Sequence, residues 1–356
     1  MSWPQSSRPR STDLSRAGLS CFLALVVVVE GAVLPPADAQ ASIETLQAIG
    51  GLPAHIAGQF EDPVGFAQAR SGDYVVLDRR AHTVYTIDPK KTAARKVLEV
   101  GFEKGRVLQP AVLALSADDI FAVADAPNGF ERIQYFTLRG LFLGGFYLQT
   151  RMAPRLVIGP LVLNGVGSMS FTGKTFLVSR PESGALFSEI DTSGAVLRQI
   201  GTLRPTGQET DRDVHVAMNA GLPLRHPDGG FIHVFQAGVP VFRKYSADGT
   251  LLFERHVEGS ELDAQIQALP TTWAERKTAS GTFPIVPALV RTAAVDPSGR
   301  LWISLMQPFT YVYDARGDKI RTVQFRGASV IAPSTMSFTR DGRVLVTPGC
   351  YEFALK

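Results

Sequence analysis

Three arginines stand beside short apolar runs in distant parts of the chain: Arg79, Arg180 and Arg291. A guanidinium group keeps its positive charge, and its planar set of donors matches the two oxygens of a carboxylate. If the fold brings these side chains to one cavity, they would form a binding site for an anion. The sequence predicts this ligand site and leaves open whether the three arginines meet.

Further polar residues occupy similar positions, and each could contribute to a binding site: Asp78, His82, Asp125, Asn128, His215 and Asn219. We expect the two aspartates to accept hydrogen bonds from nearby loop backbone, as aspartates beside turns commonly do. His215 is the histidine best placed for an active role, although a structural role is more common for a scattered histidine.

The motifs of several common enzyme classes are absent from the sequence. It contains no G-x-S-x-G, G-x-G-x-x-G, H-E-x-x-H or paired C-x-x-C pattern. Cys350 has no flanking positive charge that would lower its pKa, so we expect a buried, inert thiol. The catalytic residues are unknown from the sequence, and whether the chain is an enzyme stays open.

The first 39 residues have the pattern of a secretory signal peptide. Three arginines precede the apolar run Leu19–Val29, and Ala37-Asp38-Ala39 forms a small-x-small cleavage site. The apolar run is well short of the roughly 20 residues that cross a bilayer, so we expect no membrane span in the mature chain. The sequence thus predicts a signal peptide over 1–39 and one exported domain over 40–356, periplasmic or secreted.

Charge and cysteine content narrow the possible partners. The signal peptide carries three basic and three acidic residues, so the mature chain keeps the net charge of +3. Nucleic acids and anionic membranes require clustered positive charge, which is absent here. The single remaining cysteine cannot form an internal disulfide, so the fold must be stabilised by its own core. We expect a monomer.

One pattern of turns recurs along the mature chain. A first turn separates two apolar strands, and a second turn follows 18 to 22 residues later. The first turns are Ser71-Gly72, Ala117-Asp118, Thr172-Gly173, Asp228-Gly229, Ser298-Gly299 and Asp341-Gly342, and the second turns lie at Lys91, Gly140, Gly194, Gly249 and Gly317. Regular hairpins with connections of variable length indicate a repeat of four antiparallel strands.

Two of these units resemble NHL repeats. The resemblance is carried by Pro63–Ala67, Gly72, Tyr74–Asp78, His82 and Val84–Asp88, and again by Ile120–Asp125, Asn128 and Arg132–Phe136. It implies an all-β fold, a six-bladed β-propeller with four-stranded blades. It does not imply one activity, because propellers of this type include scaffolds, ligand binders and enzymes.

The sixth unit is one strand short, and the segment Ile43–Ile49 has no partner in the first unit. We therefore expect the N-terminal strand to pair with the last blade and close the ring, which also protects an exposed edge. Deleting residues 41–50 should then lower the melting temperature sharply.

The tight turns all fall on one end of such a propeller, here called the turn face. The other end, the loop-rich face, receives the loops between second and third strands and every long connection: Gly101–Pro110, Tyr147–Gly167, Gly201–Asn219 and Val257–Val290. Binding groups usually lie on loops held by a rigid scaffold. The Val257–Val290 connection contains a helix pattern, which either covers apolar surface at the rim or forms a lid over the channel.

Two functions fit these observations. The first is a binding module without a cofactor, which uses the loop-rich face for a small molecule, peptide or protein partner. The second follows from a similarity to gluconolactonase-like propellers, which implies a metal-dependent hydrolase with calcium or another divalent cation in the central channel. Glu61 and Asn219 match that metal site, whereas Val112, Ser168 and Ala293 stand where further ligands would be.

Overall fold

The computed structural model of the protein describes residues 43–151, 154–158, 161–164, 166–278 and 281–355. The predicted signal peptide lies outside these residues. Within the described ranges, no helix is long and apolar enough to cross a membrane.

The described chain begins with strand β1 (Ile43–Gly51) and a one-turn helix α1 (Ala54–Ala57), and six blades follow. Blade 1 contains β2 (Pro63–Gln68), β3 (Tyr74–Asp78), β4 (Thr83–Ile87) and β5 (Ala94–Lys96). The pair β6 (Glu99–Val100) and β7 (Arg106–Val107) precedes blade 2, which contains β8 (Val112–Leu115), β9 (Ile120–Asp125), β10 (Phe130–Thr137) and β11 (Phe142–Arg151).

A hairpin of β12 (Pro154–Ile158) and β13 (Leu161–Asn164) leads to blade 3, with β14 (Met169–Phe171), β15 (Thr175–Ser179), β16 (Ala185–Asp191) and β17 (Val196–Thr202). Helix α2 (Arg212–Asn219) precedes blade 4, with β18 (Gly221–Arg225), β19 (Phe231–Phe235), β20 (Val241–Tyr245) and β21 (Leu251–His256).

Helix α3 (Ser260–Gln267) and the hairpin of β22 (Glu275–Thr278) and β23 (Gly281–Pro284) follow. Blade 5 contains β24 (Val290–Val295), β25 (Leu301–Leu305), β26 (Thr310–Tyr313) and β27 (Lys319–Arg326). The short β28 (Val330–Ile331) precedes blade 6, with β29 (Thr335–Phe338), β30 (Arg343–Thr347) and β31 (Tyr351–Ala354). Short 3-10 turns lie at Pro127–Gly129 and Pro181–Ser183.

The blades form a closed ring around a central channel. The first strand of each blade is innermost and contacts the first strands of both neighbouring blades, so that β2 meets β8 on one side and β29 on the other. Six apolar clusters fill the six spaces between neighbouring blades. Along β3, for example, Val75 and Leu77 pack towards blade 2, while Tyr74 and Val76 pack towards blade 6. This period of two is what a strand buried on both faces requires.

The recurrent turns lie at the predicted sites. The second residue of each first turn, or Asp119 in blade 2, has a positive φ, between 58° at Asp119 and 93° at Gly173. All five second-turn residues do too, from 58° at Lys91 to 93° at Gly194. Glycine reaches this region without steric cost, which explains why it occupies nine of the eleven positions. The predicted all-β propeller of four-stranded blades is confirmed.

Strand β1 closes the ring, as predicted, but it pairs with strands of two blades. Its end pairs antiparallel with β31 through Ala48, Gly50 and Gly51, which makes it the outer strand of blade 6. Its beginning, Ile43–Gln47, pairs in parallel with Thr322–Arg326 of β27. Thr322 and Val323 pair with β26 on one side and with β1 on the other, so β1 occupies the outer edge of β27, a pairing that the sequence pattern did not reveal.

Three of the long connections meet one another. Helix α2 contacts both β12 and β23, and Val157 exchanges backbone hydrogen bonds with Val286 (2.9 Å) and Ala288 (3.0 Å). Val214, Ala217 and Val286 share a small core in this group, which we call the insertion cluster. It consists of α2, the β12–β13 hairpin and the β22–β23 hairpin.

Candidate functional site

The central channel is a cavity of about 1080 Å³ to which the innermost strands of all six blades contribute. Its wall is rich in small residues: Gly65, Ala67, Ala114, Ser170, Ala293 and Ser337. Because these side chains fill little of the space between the strands, the channel stays open. Its volume is at the upper end of the range for sites that hold small organic molecules.

The charged residues of the channel wall give it an excess of positive charge. Six arginines and three carboxylates line it: Arg70, Arg79, Arg225, Arg291, Arg340 and Arg343 with Glu61, Asp62 and Asp341. Glu61 is exposed at the loop-rich end, whereas Arg70 and Arg340 are exposed at the turn end. Such a field raises the local concentration of anions.

Most of the partly buried arginines in the wall are neutralised by a carboxylate. Arg79 binds Asp62 through Nη2 at 2.7 Å and through Nε at 2.8 Å. Arg225 pairs with Glu189 at 2.8 Å, and Arg343 pairs with Asp341 at 2.9 Å. These three guanidinium groups are therefore already occupied.

Arg291 differs from them. It is the extra residue of a β-bulge in β24, where Val290 pairs with Leu305 and Thr292 with Ser304. Its Nε is buried without an acceptor, and among the described residues its guanidinium has no ion-pair or hydrogen-bond partner. Burial lowers the pKa of Arg291, with no acidic neighbour to offset that effect. It is a half-buried cation in the channel without a counter-ion.

The two candidate aspartates are held by the loops around them. Asp78 is fully buried and accepts hydrogen bonds from the backbone N–H groups of Glu61 (2.7 Å), Asp62 (3.1 Å) and Ala81 (3.1 Å). Asp125 is buried against Arg132, with Oδ1 2.9 Å from Nε. Both carboxylates hold loop backbone, and neither residue belongs to the channel wall.

The remaining candidates also have roles outside the channel. His82 Nδ1 accepts a hydrogen bond from the Gln109 backbone at 2.8 Å, and Arg180 lies 3.7 Å from Glu182. Asn128 is exposed in a left-handed turn position with φ 55°.

Helix α2 carries the last two candidates. His215 lies 2.7 Å from Thr206 Oγ1. The fully buried Asn219 amide accepts from the Arg204 N–H (2.8 Å) and donates to the carbonyls of Arg204 (3.2 Å) and His215 (3.0 Å). Of the nine candidates, the structure brings Arg79 and Arg291 to the channel and leaves the other seven outside its wall.

The residues do not fit the metal site that the gluconolactonase resemblance implies. Glu61 lines the channel, but Asn219 does not, and the oxygen of its amide is engaged by Arg204. Val112, Ser168 and Ala293 line the wall at the other blades, and two of these offer no oxygen ligand from the side chain. Within the described ranges, no group of three or more His, Cys, Asp or Glu side chains could hold a metal ion.

Helix α3 packs at the rim of the propeller. Leu262 is fully buried in the core shared by blades 4 and 5, with Ile266 beside it. Tyr311 donates a hydrogen bond of 2.6 Å to Glu261, and Lys319 donates one of 2.8 Å to the Glu258 carbonyl. These contacts favour the interpretation of α3 as a cover for apolar surface, and no residue of α3 lines the channel.

The main feature of the site that was not predicted from the sequence is the channel wall of small residues. Gly65, Ala67 and Ala69 alternate along β2 and the residue after it, and Ser168 and Ser170 alternate at the start of β14. Alternation of small residues along an innermost strand was the signal that could have revealed an open channel.

Comparison with known proteins gives no family. No family model matches the chain, and no curated protein matches it. Among solved structures, it is similar to Kuenenia stuttgartiensis hydrazine synthase, with a TM-score of 0.47, 14% identity, and coverage of 81% of this chain and 92% of that chain. A Staphylococcus aureus virginiamycin B lyase gives a TM-score of 0.46, 10% identity, and coverage of 82% and 93%. A Bacteroides caccae protein of unknown function gives a TM-score of 0.42 and 10% identity, with coverage of 79% of this chain and 80% of that chain. The propeller assignment therefore depends on the order of the strands and the ring of blade contacts.

Proposed function

We propose that this chain is an exported propeller of the NHL type that binds a small molecule in its central channel, entered from the loop-rich face. The observation that carries this proposal is the channel itself, a cavity of about 1080 Å³ lined by small side chains and by an excess of arginines. A structural scaffold has no need of such a space, because the apolar clusters that stabilise the ring lie between the blades.

The architecture of the loop-rich face supports a small ligand over a protein partner. Val214, Ala217 and Val286 of the insertion cluster are buried within it. They therefore form no exposed apolar patch of the kind that protein partners use. Concave sites with a few charged groups suit small molecules.

Export and the NHL type rest on the sequence. The charged start, short apolar run and small-x-small site favour a cleaved leader, and the motifs of blades 1 and 2 favour the NHL type. N-terminal sequencing of protein recovered from the periplasm or medium should give Gln40 as the first residue. Recovery of the uncleaved chain in the cytoplasm would contradict export.

Binding in the channel can be tested with a blocking variant. The purified mature protein is screened by thermal shift against sugars, amino acids, organic acids and neutral aromatic compounds. Ala111 lies in the wall, half-buried, before the innermost strand of blade 2, so A111W should fill the mouth. L197W places the same side chain on the outer strand of blade 3, where Leu197 is 55% exposed.

We expect at least one compound to stabilise the wild type and L197W but not A111W. If A111W proves unstable, S168W blocks the same end from blade 3. Compounds that stabilise all variants equally, or none that stabilises the wild type, would contradict binding in the channel.

A further inference from the structure

The charge of Arg291 has no structural explanation within the fold. Arg204 shows what a buried arginine normally needs: its guanidinium donates to the carbonyls of Val239 (2.8 Å), Met218 (3.1 Å) and Ala237 (2.5 Å). Arg291 has no such acceptor among the described residues. A partly desolvated cation without a partner is costly, so a protein that keeps one gains something else from it.

The backbone directs Arg291 into the channel. A β-bulge adds one residue to a strand and turns its side chain away from the regular alternation. In β24 the added residue is Arg291, and its side chain is part of the channel wall. The position belongs to the rigid innermost strand, which holds the guanidinium better than a loop would.

The surroundings of Arg291 define the ligand's charge. Arg79, the other predicted ligand-binding arginine in the wall, is already neutralised by Asp62. Among the partly buried guanidinium groups of the wall, that of Arg291 alone lacks a carboxylate within the described ranges, so it can bind one negative charge. A guanidinium binds a carboxylate through two parallel hydrogen bonds, whereas a phosphate dianion would keep a second charge unbalanced.

The neighbouring wall defines the rest of the ligand. The innermost strands on either side of blade 5 contribute Leu222 from blade 4 and Met336 from blade 6. Ala293 and Ala294 of blade 5 add small apolar surface. This wall favours an apolar body over a polyhydroxylated one.

We propose that Arg291 binds the carboxylate of a small monocarboxylic acid, whose apolar part lies along the channel wall between blades 4 and 6. This inference rests on the proposed function, since it names the class of molecule that the channel takes.

The test compares matched acids and amides by isothermal titration calorimetry. The probes are phenylacetate with phenylacetamide, hexanoate with hexanamide, and inorganic phosphate, at low ionic strength. We expect each acid to bind the wild type about 10- to 100-fold more tightly than its amide, the range for a hydrogen bond to a charged group. R291M should remove this difference and leave amide binding unchanged, and R291K should retain only part of it.

R340M is the matched control, because it removes the same charge from the opposite end of the channel, where Arg340 is exposed. It should keep most of the preference for acids. Circular dichroism melts establish that each variant is folded, and R291Q replaces R291M if the latter is not.

Three results would overturn the inference: equal affinities for acids and amides, equal losses in R340M and R291M, or phosphate binding as tight as the acids. If neutral compounds still bind in a manner that A111W abolishes, the proposed function stands and only the carboxylate assignment fails. If no probe and no screened compound binds in a manner that A111W abolishes, the proposed function itself fails.

Discussion

His233 should make the stability of this propeller depend on pH between about pH 7 and pH 5. The ring is fully buried in β19, parallel to Phe187 with centroids 5.7 Å apart and edge-on to Phe235 at 4.8 Å. Neither ring nitrogen has a hydrogen-bond partner of ordinary geometry. Burial lowers the pKa of His233 to about 3; the Asn219 backbone opposes this, and the charges of Arg243 and Arg204 add to it.

The direction of this pH dependence follows from the pKa of His233 in the unfolded and folded states. In the unfolded chain the histidine has its ordinary pKa of 6.5, so it takes up a proton as the pH falls below that value. The folded protein does not take up that proton until the pH approaches 3. Between these values the unfolded state binds more protons, and the free energy of unfolding falls by about 1.4 kcal/mol for each unit of decreasing pH. From pH 7 to pH 5 the loss is about 2 kcal/mol.

Urea unfolding of the wild type and H233F at pH 7 and pH 5 measures this contribution. H233F keeps an aromatic ring between Phe187 and Phe235 and removes the titratable group, so its pH dependence should be smaller by about 2 kcal/mol. H233L serves if the larger ring overfills the site, and H256Q is the control because His256 is exposed. Carboxylates of the unfolded chain are mostly ionised above pH 5, and the comparison of the wild type with H233F cancels their remaining contribution. An equal pH dependence in wild type and H233F would refute the argument.

Three further predictions concern stability and reactivity. R132M should lower the free energy of unfolding by about 3–5 kcal/mol in urea, because it leaves the buried Asp125 carboxylate without its partner; a loss below 1 kcal/mol would contradict this. Burial raises the pKa of Cys350 to about 12, so the native protein should not react with a thiol reagent at pH 8, whereas the unfolded chain should; rapid reaction of the native form would show that the thiol is accessible. Removal of Ile43–Gly51 should lower the free energy of unfolding by more than about 5 kcal/mol, because the buried Leu46 and the hydrogen bonds of β1 to two blades are lost. An unchanged melting curve would contradict the role of β1 in closing the ring.

The fold could be predicted because its determinants are local. A left-handed turn residue such as Gly140 depends on its own backbone geometry, and the strands flanking it depend on alternation over a few residues. The division of β1 between blades 5 and 6 could not be predicted, because it depends on the outer edge of β27 lying in line with the outer edge of β31. An edge of that kind exists only once the ring has formed.

The site was predictable in part for the same reason. Asp78 ends β3 beside a loop whose backbone N–H groups it can reach, and its structural role was expected from sequence. Arg79 and Arg291 looked alike in the sequence, although one is neutralised and the other is not. The difference lies in Asp62, which is 17 residues from Arg79 and reaches it only because β2 and β3 are neighbours. Ion-pair partners of this kind follow from tertiary structure and cannot be read from spacing.

The bulge at Arg291 places a charged side chain in the channel wall at a position that another blade fills with an apolar one. Blade 1 has the same irregularity at the same place: Pro63 pairs with Asp78 and Gly65 with Leu77, which leaves Val64 as the added residue. Val64 and Arg291 both line the channel. The bulge thus places a side chain in the channel wall at this position in two different blades. The residue type alone decides whether that side chain is apolar, as in Val64, or charged, as in Arg291. If Arg291 binds a carboxylate as we propose, the specificity of this propeller lies at positions where its blades share a backbone conformation and differ in side chain.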